Sequence, residues 1–337
     1  LSQFLLGVGV GIDFPTSGAY VSELMPRKAR NRMTVATISL QSVGMAAAAL
    51  AGLAILKLRP STEDWRLLFG AGGAIALLFL VARLWAPESA RWLAARGRII
   101  EATALLKTLS IEFGEAPAKI GAEAIAPPAP SLDAAPHATD VGYLTLFAAA
   151  NRARTMLVSL PWMLMDVATY GVGLFTPVIL GAMHLSDAKA GAIAADFADA
   201  EGSAAVDAFL IIGFAASLWA VPRFGRITMQ VAGFSGMALG MLLLLFAAMT
   251  DNGAKAHLAF VIAGFMLFNF AMNAGPNATT FTLAPTLFPT AIRASASGFA
   301  ASCAKIGAAF GTFVVPQLQD AWGLVGVVAV MVAVSVA

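Results

Sequence analysis

Long apolar stretches separated by short polar segments run along almost the whole chain. A helix needs about 20 mostly apolar residues to cross the hydrocarbon core of a bilayer. The predicted spanning helices lie at about 1–22, 34–57, 66–86, 155–183, 204–221, 227–249, 257–286, 297–316 and 322–337. The short connections between most of them are typical of antiparallel neighbours in a helical bundle. The pattern therefore predicts an all-α polytopic membrane protein.

The polar stretch at 87–154 interrupts this regular spacing. It contains the Pro/Ala-rich run AIAPPAPSLDAAPH, and the segment before it, RWLAARGRIIEATALLK, has the pattern of an amphipathic surface helix. We interpret the whole stretch as a solvated linker. It divides the chain into three helices at 1–86, an inter-bundle loop at 87–154 and a six-helix bundle at 155–337.

Basic residues alternate between the predicted connections and set the orientation in the membrane. The loop at 24–33 holds four of them, the long loop holds seven, and the turn VPRFGR holds Arg223 and Arg226. The loop at 184–203 is acidic instead. Because basic loops remain on the cytoplasmic side, we expect the long loop there. The chain is predicted to be an integral, multi-pass protein of the plasma (cell inner) membrane, with the lipid bilayer around it.

Composition narrows the possible functions. Of 337 residues, 59% are hydrophobic and 12% charged, whereas soluble domains carry roughly 25% charged residues. The net charge of +2 implies no nucleic-acid partner, and the single Cys303 allows neither an internal disulfide nor a cysteine zinc site. The three histidines (His137, His184 and His257) form no metal-ligand spacing, and no nucleotide-binding fingerprint is present. We expect no enzyme activity, no metal and no cofactor.

The amino end, LSQFLL, already lies inside an apolar segment. A signal peptide is one interpretation, but no basic region precedes the segment, and Asp13 and Pro15 stand where a cleavage site would follow. We expect the printed sequence to begin within a longer protein.

An internal repeat is visible in SELMPRKAR (22–30) and PTLFPTAIR (285–293), which share proline and arginine at the same spacing. The same offset places Gly44 opposite Gly307, although Ala/Gly-rich sequence also produces chance similarity. Parallel repeats on either side of a cytoplasmic loop are the layout of a transporter whose site lies near the membrane midplane. If the two halves are equal, the first lacks about three helices.

Asp13, Asp166 and Lys305 are charged residues that lie well away from the ends of predicted helices. A charge at the bilayer centre costs about 2.5–3.5 kcal/mol even on the lenient insertion scale, so such residues face an interior and often serve a transport pathway. Lys305 lies far from either end of its helix and is predicted to meet a buried carboxylate or an anionic substrate, with snorkelling as the alternative. Asp13, beside Pro15, fits a helix-breaking or packing role equally well.

Trp162, Asp166 and Tyr170 recur every four residues and therefore share one helix face. Indole N–H and phenol O–H groups are natural donors to an oxyanion. The residues after them include Gly171 and Gly173, which allow the helix to bend. An aromatic belt at the membrane interface is the alternative for the two rings. We predict a binding site on this face.

Two uncharged residues complete the candidate set. Asn277 directly follows Pro276, which kinks the helix and frees nearby carbonyl groups, so we predict a binding role for it. Asn269 and Asn273 lie on the same predicted helix. Gln41 is a weaker candidate, because a lone amide often bonds a neighbouring helix.

Several motifs resemble the major facilitator superfamily. GVGVGIDFPTSGAYVSELMPRKARNR is similar to that fold's fourth helix and the following loop, PESARWL to the end of its sixth helix in sugar-porter-like members, and VPRFGR to the loop between helices eight and nine. GIDFPTS, WMLMDVATYG and AGPNATTFTLAPTLFPTAIRASASGFAASCAKIGA resemble the phosphate:proton symporters of the superfamily. The resemblance implies two six-helix bundles, of which this chain covers helices four to twelve.

The same resemblance implies roles for individual residues. In the phosphate:proton symporters, the equivalents of six residues contribute to the phosphate site: Trp162, Asp166, Tyr170, Asn277, Gln41 and Lys305. The equivalent of Asp13 belongs to the proton route. Three residues depart from the family pattern: Phe14 stands where the family has a phosphate-contacting Tyr, Pro222 replaces a loop acid, and Thr286 replaces a Glu.

Proton-coupled uptake of inorganic phosphate or a related small solute by alternating access is the function that this resemblance implies, with the proton gradient as the energy source. A proton on Asp166 would make it a donor to a phosphate oxygen, and Lys305 would offset the charge of the anion. The alternatives are an organic acid, organic cation or sugar transporter of the same fold, a nutrient sensor that transports nothing, and a channel.

Overall fold

The computed structural model describes residues 2–25, 27–58, 63, 65–113, 143–173, 209–250 and 258–337, and these residues form helices without any strand. The first three helices are α1 (Ser2–Leu24), α2 (Arg27–Leu58) and α3 (Trp65–Arg83). Helix α2 begins seven residues before its predicted start, within the basic segment that was expected to be a loop. Arginine, lysine and alanine are good helix formers, so the helix continues through the basic segment, and the part that is apolar enough to cross a membrane begins at Arg32.

The first part of the long loop folds into two short helices, α4 (Ala90–Ala95) and α5 (Ile99–Phe113). Ser89 caps α4, because its Oγ accepts a hydrogen bond from the backbone N–H of Trp92 at 3.0 Å. Gly97, with φ of 76°, separates the two helices, so the predicted single surface helix is wrong at this residue. The two helices pack together and bury Leu93 and Leu106. This part of the predicted solvated linker is therefore partly packed.

The second half of the chain contains a 3₁₀ turn at Tyr143–Phe147 and the helices α6 (Ala149–Gly173), α7 (Phe209–Phe224), α8 (Arg226–Met249), α9 (Leu258–Ala274), α10 (Pro276–Leu287) and α11 (Thr290–Val336). Helix α6 begins six residues before its predicted start. The buried apolar residues of α6, α8, α9, α10 and α11 form one continuous core. The division of the chain at residues 86 and 154 stays a prediction.

Two glycines break the long helices of this half. The predicted helix at 257–286 is divided at Gly275, and Pro276 is the first residue of α10, as expected for a proline that cannot continue the preceding hydrogen-bond ladder. The predicted helices at 297–316 and 322–337 belong to one run that is interrupted at Gly323, whose φ is 65°. The first break has a direct consequence for the candidate site, because Asn277 lies one residue after Pro276.

Glycines also bring α8 and α9 into backbone contact. A Cβ atom on Gly233 would lie 2.2 Å from Cδ of Pro276, and one on Gly240 would lie 2.6 Å from the carbonyl oxygen of Gly264. Small residues at such positions allow helices in a membrane to approach closely and gain van der Waals contacts. This contact fixes the position of the α9–α10 break against α8.

Six segments of the described chain are long and apolar enough to cross a membrane: Arg32–Ile55, Trp65–Arg83, Ala149–Gly173, Arg226–Met249, Ala259–Leu287 and Ala291–Val336. The last of them has 46 residues, about twice the length that one crossing needs. The predicted all-α polytopic membrane architecture is confirmed. The acidic loop at 184–203, the Pro/Ala-rich run at 124–137 and the three histidines lie outside the described residues.

Candidate functional site

Asp166 and Lys305 form an ion pair between α6 and α11. The Nζ atom of Lys305 lies 3.1 Å from Oδ2 of Asp166, 3.4 Å from the hydroxyl oxygen of Tyr170 and 5.2 Å from the centre of its ring. The Asp166 side chain is only 5% exposed, whereas that of Lys305 is 62% exposed. The structure thus brings three of the predicted site residues together, with a buried anion and an accessible cation.

The close approach of α11 to α6 explains how this pair forms. A Cβ atom on Gly307 would lie 2.3 Å from the carbonyl oxygen of Met163, and one on Gly311 would lie 2.6 Å from that of Val167. Ala304 and Ala308, next to Lys305 and Gly307, are buried as well. The small residues of ASCAKIGAAFG therefore form one helix face without large side chains, and beside it Lys305 reaches a carboxylate of the neighbouring helix.

Trp162 and Tyr170 occupy different environments although they bracket Asp166 on one helix. Trp162 is buried in the apolar core, so an interfacial belt does not describe its position. Tyr170 is more exposed and places its ring and hydroxyl beside Lys305. Of the two aromatic residues, only Tyr170 therefore lies on the exposed side of the Asp166–Lys305 pair.

Asn277 lies in the first turn of α10 and ends a chain of asparagine hydrogen bonds. Its Nδ2 donates to Oδ1 of Asn273 at 2.8 Å, and Nδ2 of Asn273 donates to the backbone carbonyl of Asn269 at 2.7 Å. Helix α10 packs against α6. Within the described ranges, no hydrogen bond joins Asn277 to Asp166 or Lys305, so its participation in the site stays a prediction.

Gln41 and Asp13 lie apart from this cluster. Gln41 is exposed on α2, and the described part of the chain gives its side chain no hydrogen bond. Asp13 pairs with Arg83 at the end of α3, and Ser17 bonds both, accepting from Nη2 of Arg83 at 2.6 Å and donating to Asp13 at 3.3 Å. The sequence did not predict Arg83 as the partner of Asp13. An arginine near a helix end needs no partner, and the pattern gives no sign of a carboxylate 70 residues away.

A second ion pair, absent from the predicted site, joins α1 to α11. Nη1 of Arg293 lies 3.3 Å from Oε1 of Glu23, and the two side chains are 11% and 13% exposed. Ser89, the cap of α4, donates from Oγ to Oε2 of Glu23 at 2.7 Å. Glu23 lies in the first copy of the internal repeat and Arg293 in the second. This repeat was the one signal in the sequence that drew attention to the two segments.

The repeat also relates Glu23 to Thr286, which lies 263 residues later in the chain. The hydroxyl of Thr286 accepts a hydrogen bond from Arg226, whose Nη1 also donates to the backbone carbonyl of Thr282 at 3.1 Å. Arg226 is therefore held by two neutral oxygens. Thr286, which replaces a Glu of the family pattern, thus gives Arg226 a neutral hydroxyl at this contact.

Comparison with known proteins now identifies the family. The model of the family described as Sugar (and other) transporter matches residues 1–337. The chain belongs to this family. Membership and the apolar helices together make it an integral, multi-pass membrane protein, since the family consists of transporters.

Curated relatives agree with this membership. The chain is 28% identical over 335 residues to the probable inorganic phosphate transporter 1-10 of Oryza sativa subsp. japonica, covering 92% of this chain and 59% of that protein. It is 26% identical over 323 residues to the inner membrane metabolite transport protein YgcS of Escherichia coli (strain K12), covering 96% of this chain and 64% of that protein. The chain thus spans about three fifths of the length of these relatives.

Solved structures show the same fold. The proton:xylose symporter XylE bound to 6-bromo-6-deoxy-D-glucose superimposes with a TM-score of 0.70 at 21% identity, covering 98% of this chain and 67% of that chain. A double-tryptophan variant of XylE gives a TM-score of 0.79 with the same coverage. The expected major facilitator fold is confirmed.

Proposed function

We propose that the protein is a secondary transporter of the plasma (cell inner) membrane that takes up inorganic phosphate or a related small anion together with a proton. One observation carries this proposal: the exposed ammonium group of Lys305 rests on the buried carboxylate of Asp166. An anion that enters the site competes with Asp166 for the same cation. Two relatives from Oryza sativa subsp. japonica, named probable inorganic phosphate transporter 1-10 and inorganic phosphate transporter 1-11, favour phosphate as that anion.

Protonation of Asp166 couples the two fluxes in this proposal. A neutral Asp166 no longer holds Lys305 by charge, and its carboxyl group becomes a hydrogen-bond donor to the anion. Lys305 then pairs with the anion, and the hydroxyl of Tyr170, 3.4 Å from Nζ, is placed to contact the same ligand. Loss of the proton restores the Asp166–Lys305 pair and expels the anion, so neither solute crosses alone.

The other predicted residues have supporting places in this scheme. Asn277 adds a neutral hydrogen-bonding group from α10, and Trp162 adds an indole N–H one turn before Asp166. Gln41 and Asp13 enter the scheme only through the family resemblance, Asp13 as part of the proton route. Energy comes from the proton gradient, and the scheme uses no cofactor.

Competition for uptake tests the substrate directly. The full-length protein in proteoliposomes is supplied with labelled phosphate at several pH values, with sulfate, organic acids or sugars as competitors. Phosphate uptake that rises as the outside becomes more acidic, and that unlabelled phosphate suppresses best, is the expected result. Proton-driven uptake of another solute that phosphate does not affect would reject phosphate as the substrate.

Sugar is the second candidate, because the chain belongs to the Sugar (and other) transporter family and XylE, with the same fold, is a proton:xylose symporter. A neutral sugar has no charge to place on Lys305, so Asp166 and Lys305 would remain paired during binding. Suppression of proton-driven uptake by a hexose or pentose, and not by phosphate, would establish this candidate.

A further inference from the structure

Three asparagines form a hydrogen-bonded ladder that crosses the break between α9 and α10. Nδ2 of Asn269 donates to the carbonyl of Phe265 at 2.9 Å, and Nδ2 of Asn273 donates to the carbonyl of Asn269 at 2.7 Å. The last step differs from the first two. Nδ2 of Asn277 donates to a side-chain oxygen, Oδ1 of Asn273, at 2.8 Å.

The chemistry of the ladder fixes which way each amide faces. The backbone carbonyl of Asn269 can only accept, so Asn273 must direct its NH₂ group toward it. The remaining end of Asn273 is then Oδ1, which also can only accept. Asn277 must therefore offer its own NH₂ group to Asn273, because two carbonyl oxygens do not bond. The backbone carbonyl of Asn269 thus sets the direction of both the Asn273 and the Asn277 amide.

Packing holds Asn273 in this orientation. Its side chain is 0% exposed, and α7 lies directly against it. A Cβ atom on Gly213 of α7 would lie 2.9 Å from Cβ of Asn273 and 2.9 Å from the carbonyl oxygen of Phe270. The backbone of α7 therefore packs directly on Cβ of Asn273, and this close packing together with the two hydrogen bonds holds the Asn273 amide against Asn277.

We propose that Asn273 is a positioning residue which accepts one N–H of Asn277 and thereby fixes the direction of that amide, so that Oδ1 of Asn277 faces the ligand as an acceptor. This inference rests on the proposed phosphate-binding function and adds a rule of selectivity to it. An acceptor favours a ligand that retains a hydroxyl group. Inorganic phosphate keeps at least one P–OH group near neutral pH, whereas sulfate has none. An acceptor that loses water to a bound ligand without gaining a donor is penalised, so the ladder selects protonated phosphate over sulfate.

The test compares two buried asparagines of the same helix. Labelled phosphate is bound to the full-length protein in lipid nanodiscs at one pH, and unlabelled phosphate or sulfate displaces it. Asn273→Ala frees the amide of Asn277 and should reduce the preference for phosphate over sulfate about tenfold. Asn269→Ala removes another buried amide one turn earlier but leaves the carbonyl that holds Asn273. The Asn269→Ala variant should change the preference for phosphate over sulfate less than about twofold.

A conservative variant separates positioning from general damage. Asn273→Asp, in its protonated form, can donate its O–H to the carbonyl of Asn269 and keeps an oxygen at the contact with Asn277, so it should retain the preference of the wild type, even if its expression falls. Asn273→Leu has the same branching and no acceptor, so it serves in place of Asn273→Ala if that variant does not fold, with the same expected loss of preference.

The outcomes distinguish this inference from the function on which it rests. Intact phosphate binding with an unchanged preference in Asn273→Ala or Asn273→Leu would overturn the inference alone. An equal loss of preference in Asn269→Ala would also overturn it, because the effect would then belong to the helix as a whole. A wild-type protein that does not bind phosphate would overturn the proposed function and the inference together.

Discussion

The ion pairs Asp166–Lys305 and Glu23–Arg293 each join residues that are more than a hundred positions apart, but their surroundings differ. In the first pair the carboxylate is buried and the ammonium is largely exposed, with the Tyr170 hydroxyl as a second oxygen nearby. In the second pair both side chains are almost buried, and Ser89 bonds the free oxygen of the carboxylate. One pair is open on its cationic side, whereas the other is closed on both sides.

On the basis of this difference we propose that the open pair belongs to a binding site and that the closed pair has a structural role. In the proposed function an incoming anion reaches the exposed Lys305 and takes the place of Asp166, so that the open pair changes partners. Glu23 and Arg293 are screened from such a competitor, and their contact holds α1, α4 and α11 together. A buried pair that loses one partner leaves an uncompensated charge and costs about 3–5 kcal/mol. We expect substitutions in the closed pair to change stability. Those in the open pair should change transport instead, because Asp166 takes up a proton in the proposed mechanism and then leaves no uncompensated charge when Lys305 is lost.

Lys305→Met should have the largest effect on binding. It removes the ammonium group but keeps an unbranched apolar side chain, so the anion loses a charge-assisted hydrogen bond of up to about 3 kcal/mol, equivalent to about 100-fold in affinity. Equilibrium binding of labelled phosphate measures the change. Lys57→Met, at the exposed end of α2, is the matched control and should bind phosphate as the wild type does. Full binding by Lys305→Met would contradict the assignment of Lys305.

Glu23→Gln should have the largest effect on stability. The change leaves Arg293 largely buried beside a neutral amide, and the free energy of unfolding should fall by about 3 kcal/mol. Thermal unfolding in detergent measures it. The double variant Glu23→Gln/Arg293→Met removes both charges and should recover part of the loss. A double variant that is as unstable as the sum of the two single variants would show that the pair contributes nothing as a pair.

Thr286→Glu should stabilise the protein by about 1 kcal/mol, because it gives Arg226 a carboxylate at the position that the repeat relates to Glu23. Thermal unfolding again measures the effect. In an Arg226→Met background the same substitution should give no gain, since the partner cation is missing. A gain of equal size in both backgrounds would disprove the expected pairing.

Tyr170→Phe should have the smallest effect. The ring remains beside Lys305, and only a hydroxyl 3.4 Å from Nζ is lost, so phosphate affinity should fall about two- to threefold. Displacement of labelled phosphate measures it. A loss of about 100-fold would instead make the Tyr170 hydroxyl a ligand as important as Lys305.

Much of the architecture follows from the sequence, because apolar length and helical spacing are local properties. The every-fourth-residue pattern of Trp162, Asp166 and Tyr170 correctly placed them along one helix, and the central position of Lys305 indicated a need for a partner. The family resemblance linked these two segments. Proline at position 276 correctly located the break before Asn277.

The contacts that the sequence did not reveal depend on tertiary packing. Glu23 and Arg293 lie near predicted helix ends, where a charge needs no partner, so the neighbouring sequence did not predict that they pair. The glycines at 307 and 311 determine how near α11 comes to α6, which composition alone cannot specify. The role of Asn273 likewise depends on Gly213 in another helix and on the exact direction of two amide groups.

Phosphate accumulation by Asp166→Asn is the most direct test of the account. Asparagine preserves the shape of the protonated carboxyl group but carries no exchangeable charge, so it separates binding from coupling. The full-length protein in proteoliposomes should accumulate labelled phosphate when the outside is made acidic, and Asp166→Asn should show exchange of phosphate without any response to the pH gradient. Proton-driven accumulation by Asp166→Asn at the level of the wild type would contradict the proposed mechanism.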